Sequence, residues 1–246
     1  MTYIRQNNCA ICGSAESVDT RIAHAPYFLA DLVSGFEVRA AVLVEYERCA
    51  GCGTWIQNPR LDDETIHRYY ADGIYRKTLG MAGDVMDRDE LNRAKTDAEL
   101  ILKHIGVITS HLDIGCSRGY FLQQVNAKVK TGVEPNLKWP VEGINVRPDI
   151  DSVLGKYDLV SLIHVLEHEC YPVQFLQKAA NHLTDDGKLV VEVPSWQSKG
   201  GPLRLAHLWH WEPDALKRTL KIAGLKLIDI TLTPHLFVVA EKINER

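Results

Sequence analysis

The segment His111-Leu112-Asp113-Ile114-Gly115-Cys116-Ser117-Arg118-Gly119-Tyr120-Phe121-Leu122 admits few local structures. An apolar strand runs straight into a tight turn that opens a helix. Gly115 lets the chain turn sharply, and Gly119 lets the helix pack close to a sheet. Free amides at such a helix start favour a polar or anionic ligand group. Taken alone, these residues also suit a plain strand-to-helix connection, because short glycine motifs are common.

The chain around this turn alternates strand and helix. Strand patterns are read at 107–114, 130–134, 157–163, 188–193, 225–230 and 235–241, and helix patterns at 120–127, 172–183 and 213–223. Strands separated by helices imply a parallel sheet covered on both faces. Upstream, 62–70 reads as a short helix with an acidic first turn. A glycine-containing piece with Gly73, Gly80 and Gly83 follows. Then 87–104 reads as an amphipathic helix with Leu91, Ala94, Ala98, Ile101 and Leu102 on one side.

The second strand ends in Gly132-Val133-Glu134-Pro135-Asn136. An acid at that tip is where such folds hold the ribose hydroxyls of an adenosine-containing ligand. Glu134 lies 19 residues after Gly115, close to the usual interval of about 20. On its own, Glu134 equally suits a solvated loop. Two cofactor classes use this scheme, nicotinamide dinucleotides and S-adenosylmethionine.

Three blocks resemble the class I S-adenosylmethionine-dependent methyltransferases. They are Asp113-Ile114-Gly115-Cys116, the run from Tyr157 to His168, and the run from Thr184 to Pro194, which stand in the family's order and spacing. The resemblance covers roughly residues 88–241. It implies an α/β, Rossmann-like fold with a seven-stranded, mostly parallel sheet and helices on both faces. By position it places Asp113 near the methionine amino group, Gly115, Cys116, Ser117, Gly119 and Tyr120 around the turn, Glu134 and Pro135 at the ribose, Asp149 near the adenine, and His164 beside the cofactor. The segment around Asp149 is short, and its alignment can slip to Asp151. The family often has glycine where this chain has Ser117, a departure that a pyrophosphate would tolerate less well than an aminoacyl tail.

Cys9-Ala10-Ile11-Cys12-Gly13 and Cys49-Ala50-Gly51-Cys52-Gly53 are two CxxC units, each followed by glycine. Four soft thiolates suit tetrahedral, structural Zn2+. The 36 residues between the pairs must form a hairpin or excursion of their own. Cys116 and Cys170 read as buried fillers or loop residues. The run from Cys49 to Pro59, with Tyr69, Tyr70 and Tyr75, resembles the zinc-binding leader of sugar methyltransferases of deoxysugar, polysaccharide and natural-product pathways. The C-methylating members usually carry a further C-terminal domain, so this length points to O-methylation. The expected organisation is a zinc module at 1–60, a helical linker and lid at 61–106, and a cofactor-binding domain at 107–246.

Methyl transfer to an alcohol needs alignment and benefits from a general base, usually histidine. His168 with Glu167 forms a candidate base-and-orienter pair at the carboxyl edge of the sheet; the same two residues also suit a helix start. His207 and His210 flank Leu208-Trp209 and precede Trp211. They are further candidates, with the tryptophans either offering flat faces to a sugar or capping the sheet. A divalent metal at His207 and His210 lacks a visible carboxylate partner.

The formal net charge is -4, which argues against a nucleic-acid partner; a small-molecule, sugar-containing acceptor is what the resemblance implies. The first eight residues hold no apolar core, and no apolar run approaches a membrane span. A cytoplasmic protein is expected, with thiols reduced. An oligomer is compatible with this sequence.

Overall fold

The computed structural model describes residues 2–30, 37–72, 84–136, 143–195, 205–232 and 234–243. Gly73, Tyr75, Gly80 and Gly83 lie outside the described residues.

The N-terminal part holds β1 (Tyr3–Ile4), β2 (Ser17–Ala30), β3 (Glu37–Cys49), β4 (Trp55–Gln57), β5 (Arg60–Leu61) and α1 (Asp63–Ala71). β2 and β3 pair antiparallel as one long ribbon, which is the excursion that the cysteine spacing requires. α1 begins where Asp62 caps it, its carboxylate accepting the Thr65 N–H at 2.8 Å.

The larger part runs α2 (Asp84–Ile101), β6 (Ser110–Ile114), α3 (Tyr120–Gln124), β7 (Val129–Val133), β8 (Asn145–Arg147), β9 (Tyr157–Ile163), α4 (Pro172–Asn181), β10 (Leu183–Pro194), β11 (Trp209–His210), α5 (Pro213–Ile222), β12 (Leu225–Leu232) and β13 (His235–Lys242). Seven of these strands form one sheet in the order β12-β13-β10-β9-β6-β7-β8. β6, β7, β8, β9 and β10 are mutually parallel, and β13 runs antiparallel to both its neighbours. The expected seven-stranded, mostly parallel, Rossmann-like sheet is therefore present.

Alternation along the strands explains the two covered faces. Leu159, Val190, Phe237 and Val239 face a core completed by Ala94, Ala98 and Ile101 of α2 and Phe121 of α3. Val160, Leu162, Leu189, Val191 and Val238 face the other core, with Leu176 of α4 and Leu216 and Leu220 of α5. Proline in the first turn starts both α4 and α5.

Several local expectations shift. β6 begins at Ser110, and Val107 is exposed, because the sheet register starts opposite Val129. Leu102 lies beyond the end of α2 and is exposed. β10 starts at Leu183, ahead of the strand read at 188–193, with a register shift between Leu183 and Lys188. β8 and β11 carry only three and two residues, too short for a periodic signal.

β11 leaves the large sheet and pairs with β4, Trp209 opposite Ile56 and His210 opposite Trp55. The N-terminal sheet, ordered β11-β4-β3-β2, thus takes its edge strand from the later part of the chain. The Tyr46 hydroxyl donates to the His207 carbonyl at 2.9 Å, and the Gln57 N–H donates to the Leu208 carbonyl at 2.8 Å. Among the described residues, no helix is long and apolar enough to cross a membrane.

Candidate active site

β6 and β9 are neighbours whose following chain departs in opposite directions across the sheet, so a crevice opens at their carboxyl ends. The glycine turn lies there. Gly115 has φ +78°, and a Cβ on it would stand 2.4 Å from Val165 Cγ2. The Gly115 and Cys116 N–H groups both donate to the Val133 carbonyl, and Gly119, at φ +71°, precedes α3. Ser117 has φ +50°, in the left-handed region that favours glycine. Cys116 is buried against Gly132, where any side chain would collide with its sulfur.

Glu134 is buried at the tip of β7. One carboxylate oxygen accepts the Ser117 N–H and the other the Asn136 N–H, both at 3.0 Å. This ties the acid to the glycine turn. Asp113 is also buried and accepts the Ser161 hydroxyl at 2.6 Å. Burial lifts its pKa to about 7, against the pull of the Ser161 bond and of Arg93. Tyr120 is half-buried at the start of α3, and Pro135 is exposed beside Glu134. Asp149 is exposed and caps a short turn by accepting the Ser152 N–H at 2.7 Å, whereas Asp151 pairs with Lys178 at 2.9 Å.

His164 follows β9 with φ +53°. Its Nδ1 lies 3.2 Å from Glu167 Oε1, and its Nε2 lies 2.8 Å from Glu192 Oε1. Burial lowers the imidazole pKa, but these two carboxylates outweigh it and hold His164 up at about 9. Glu192, at the end of β10, also faces Arg93 at 3.8 Å. Burial opposes its ionisation, yet His164 keeps its pKa down at about 2. Asp97 is buried beside it, and burial together with the Glu192 charge pushes Asp97 up to about 8. His235 of β13 stacks edge-on against His164, with ring centroids 4.4 Å apart.

Arg93, Asp97, Glu192 and His235 are the site residues that the sequence reading passes over. Arg93 and Asp97 belong to α2, whose polar positions read as a solvated face. Only the placement of α2 beside the sheet edge turns them inward.

On the other side of Glu167 lies His168. Its Nδ1 donates to the Ala206 carbonyl at 2.8 Å, and its Nε2 lies 3.6 Å from Glu167 Oε1. The orienting bond therefore comes from the 205–211 segment, and Glu167 faces the opposite nitrogen. The His168 ring lies 4.9 Å from that of His207 and 4.8 Å from that of Tyr70. His210 is fully buried, and burial holds its pKa down at about 3. Trp209 and Trp211 are fully buried too, with their indole N–H groups donating to the Glu169 carbonyl and the Thr219 hydroxyl. They cap the sheet, and neither offers a flat face to a sugar.

The four cysteines of the paired motifs converge. Cys9 and Cys52 sulfurs are 3.7 Å apart, Cys12 and Cys49 sulfurs 3.5 Å, and all four lie within 4.8 Å of one another. Tetrahedral zinc thiolates, with bonds of about 2.3 Å, need sulfurs about 3.8 Å apart. Gly51 lets the two knuckles approach, since a Cβ there would stand 2.9 Å from Cys12 Sγ. None of the six cysteines forms a disulfide.

Residues 67–230 match the family model described as methyltransferase domain. The tRNA U34 carboxymethyltransferase of Aeromonas salmonicida (strain A449) is 28% identical over 116 residues, covering 37% of this chain and 34% of that enzyme. The match thus spans about a third of the curated relative's length. The structure of Burkholderia thailandensis 1,6-didemethyltoxoflavin-N1-methyltransferase, with S-adenosylhomocysteine bound, superposes with a TM-score of 0.58 at 16% identity, covering 89% of this chain and 100% of that one. Magnesium protoporphyrin IX methyltransferase from Synechocystis PCC 6803, also with S-adenosylhomocysteine, gives 0.51 at 14% identity, covering 74% and 100%.

Proposed function

Because the chain belongs to the methyltransferase-domain family and is an S-adenosylmethionine-dependent methyltransferase, we propose that it methylates a hydroxyl of a small polar acceptor, a sugar or nucleotide-linked sugar. The observation that carries this reading is the cluster of Glu167, His168, His207 and His210 at the same sheet edge as the glycine turn. The zinc-type leader supports the sugar class; it pairs β4 with His210 of β11 and holds the His207 carbonyl through the Tyr46 hydroxyl.

The buried acids fit the cofactor's charge. A ligand with an ammonium and a sulfonium suits a crevice holding Asp113 and Glu134, and Arg93 suits its carboxylate. In this assignment Asp113 faces the amino group, Glu134 takes the ribose hydroxyls, and Gly115 to Tyr120 wrap the aminoacyl tail. Pro135 lies with Glu134 at the ribose, Asp149 lies toward the adenine, and His164 lies beside the cofactor. The cofactor supplies the methyl group. The protein aligns the acceptor oxygen, and His168 Nε2 takes its proton. Four thiolates at Cys9, Cys12, Cys49 and Cys52 hold structural Zn2+. The three-part organisation at 1–60, 61–106 and 107–246 is retained, with β11 lent to the first part. Reduced thiols suit a cytoplasmic setting.

Two outcomes are expected. Asp113, faced by Arg93, Glu134 and Ser161, must ionise to meet an ammonium group. S-adenosylhomocysteine binding should therefore weaken about tenfold per unit as pH falls below 7 and level off above it. Asp113→Asn should flatten that profile in calorimetry. Replacing His168 with glutamine should lower kcat by about 10²–10⁴ while S-adenosylhomocysteine affinity stays within a few-fold.

Likeness to a tRNA-modifying enzyme favours a second reading, RNA as acceptor, which the net charge of -4 opposes. Labelled methyl transfer into a host extract, fractionated into nucleotide sugars, polysaccharide, RNA and protein, separates them. Label in a sugar-containing fraction supports the proposal. Label confined to RNA or protein refutes it.

A further inference from the structure

We infer that Glu167, His168 and His207 form a binding site for a divalent transition-metal ion, resting on the acceptor-side reading of this cluster. One ligand atom from each of the three residues lies within 4.8 Å of the others. Metal bonds of about 2.0–2.2 Å at tetrahedral angles set ligand atoms about 3.3–3.6 Å apart, so shifts of about 1 Å, shared between facing side chains, complete the site. The missing carboxylate for the histidines of the 205–211 segment is thus Glu167, far away in sequence and brought in by the turn after β9. It gathers His207 rather than His210.

Two features set these groups apart from a chance polar cluster. His168 Nδ1 is tied to the Ala206 carbonyl at 2.8 Å, which turns Nε2 toward Glu167. A metal-bound imidazole carries just this kind of outer hydrogen bond, which fixes its tautomer and orientation. Ala206 also adjoins His207, so one backbone segment orients the first imidazole and supplies the second. In addition, Glu167 is 0% exposed, and its Oε2 has no hydrogen-bond partner among the described residues. A buried carboxylate oxygen left in that state is costly, and a cation removes the cost.

Two imidazoles and one carboxylate leave coordination positions open. An acceptor hydroxyl, or two neighbouring hydroxyls of a sugar, would fill them. Coordination lowers the pKa of the bound hydroxyl, whose proton passes to solvent. Its oxygen then bonds to the methyl carbon, and the carbon–sulfur pair returns to sulfur, giving a methyl ether and S-adenosylhomocysteine. With the ion bound, His168 acts as a ligand and not as a base.

Cobalt(II) titrated into the zinc-loaded full chain tests the site, because its spectrum reports the donor atoms. The expected result is one equivalent bound with visible d–d bands and no sulfur-to-cobalt charge transfer. His207→Ala and, separately, the near-isosteric Glu167→Gln should each weaken binding at least tenfold, with circular dichroism unchanged in one or both. Absence of a sulfur-free cobalt spectrum, or equal binding in both variants, overturns the inference. Methyl transfer that persists without bound cobalt leaves the methyltransferase reading standing alone. Cobalt binding with no label in any extract fraction supports the site and counts against the acceptor reading.

Discussion

Gly115→Ala is expected to weaken S-adenosylhomocysteine binding by at least 100-fold, about 2.7 kcal/mol. The added Cβ would enter the space of Val165 Cγ2 at 2.4 Å, from a backbone already at φ +78°. Val165 is short and sits between His164 and the Leu166–His168 turn, so it cannot swing aside without moving the acceptor side as well. Left-handed strain and overpacking together should lower stability by about 2–4 kcal/mol. Gly106→Ala is the control. Nothing lies within 4 Å of a Cβ there, and neither stability nor binding should change. Calorimetry with denaturant unfolding reads both variants.

The second large effect concerns the cysteine cluster. Cys49→Ser, or removal of the proposed zinc by a strong chelator, should unfold the N-terminal sheet. Structural zinc sites contribute about 10–16 kcal/mol of apparent folding energy in small modules, as much as a whole domain's stability. The damage should travel along a defined route. β4 loses its frame, β11 loses its partner, and His207 loses the Tyr46 hydroxyl that holds its carbonyl. Methyl transfer should fall at least 100-fold, and the emission of Trp55, Trp209 and Trp211, all buried, should shift to the red. S-adenosylhomocysteine affinity should stay within a few-fold, because Asp113, Gly115 and Glu134 stand on β6 and β7 of the other sheet. Equal activity with and without the metal would refute this coupling.

The glycine turn and the acid at the strand tip, which we propose as the cofactor side, were legible in the sequence because their geometry is local. Gly115 and Glu134 mark a turn and a strand tip, and a turn geometry constrains residue type within a few positions. The four cysteines were legible because each knuckle is a closed local loop. The acceptor side was less so. Glu167 meets His207 only through the packing of the turn after β9 against the 205–211 segment, which includes the Glu167 carbonyl accepting the Leu208 N–H at 2.8 Å. Arg93 and Asp97 reach the site from α2, and nothing in that helix's own periodicity marks them. β11 exists because β4 pairs with it, and two residues carry no strand signal of their own. The aromatic character of Trp209 and Trp211 suits a ligand surface and a core equally well, and burial decides for the core.

The central claim is that Asp113, the glycine turn and Glu134 form the S-adenosylmethionine pocket, and calorimetric titration of S-adenosylhomocysteine tests it most directly. One molecule should bind per chain, with Glu134→Ala at least tenfold weaker, since two hydroxyl bonds to a buried carboxylate are lost, and His207→Ala unchanged. No binding to the wild-type chain, or equal affinity for the wild type and Glu134→Ala, would contradict the account.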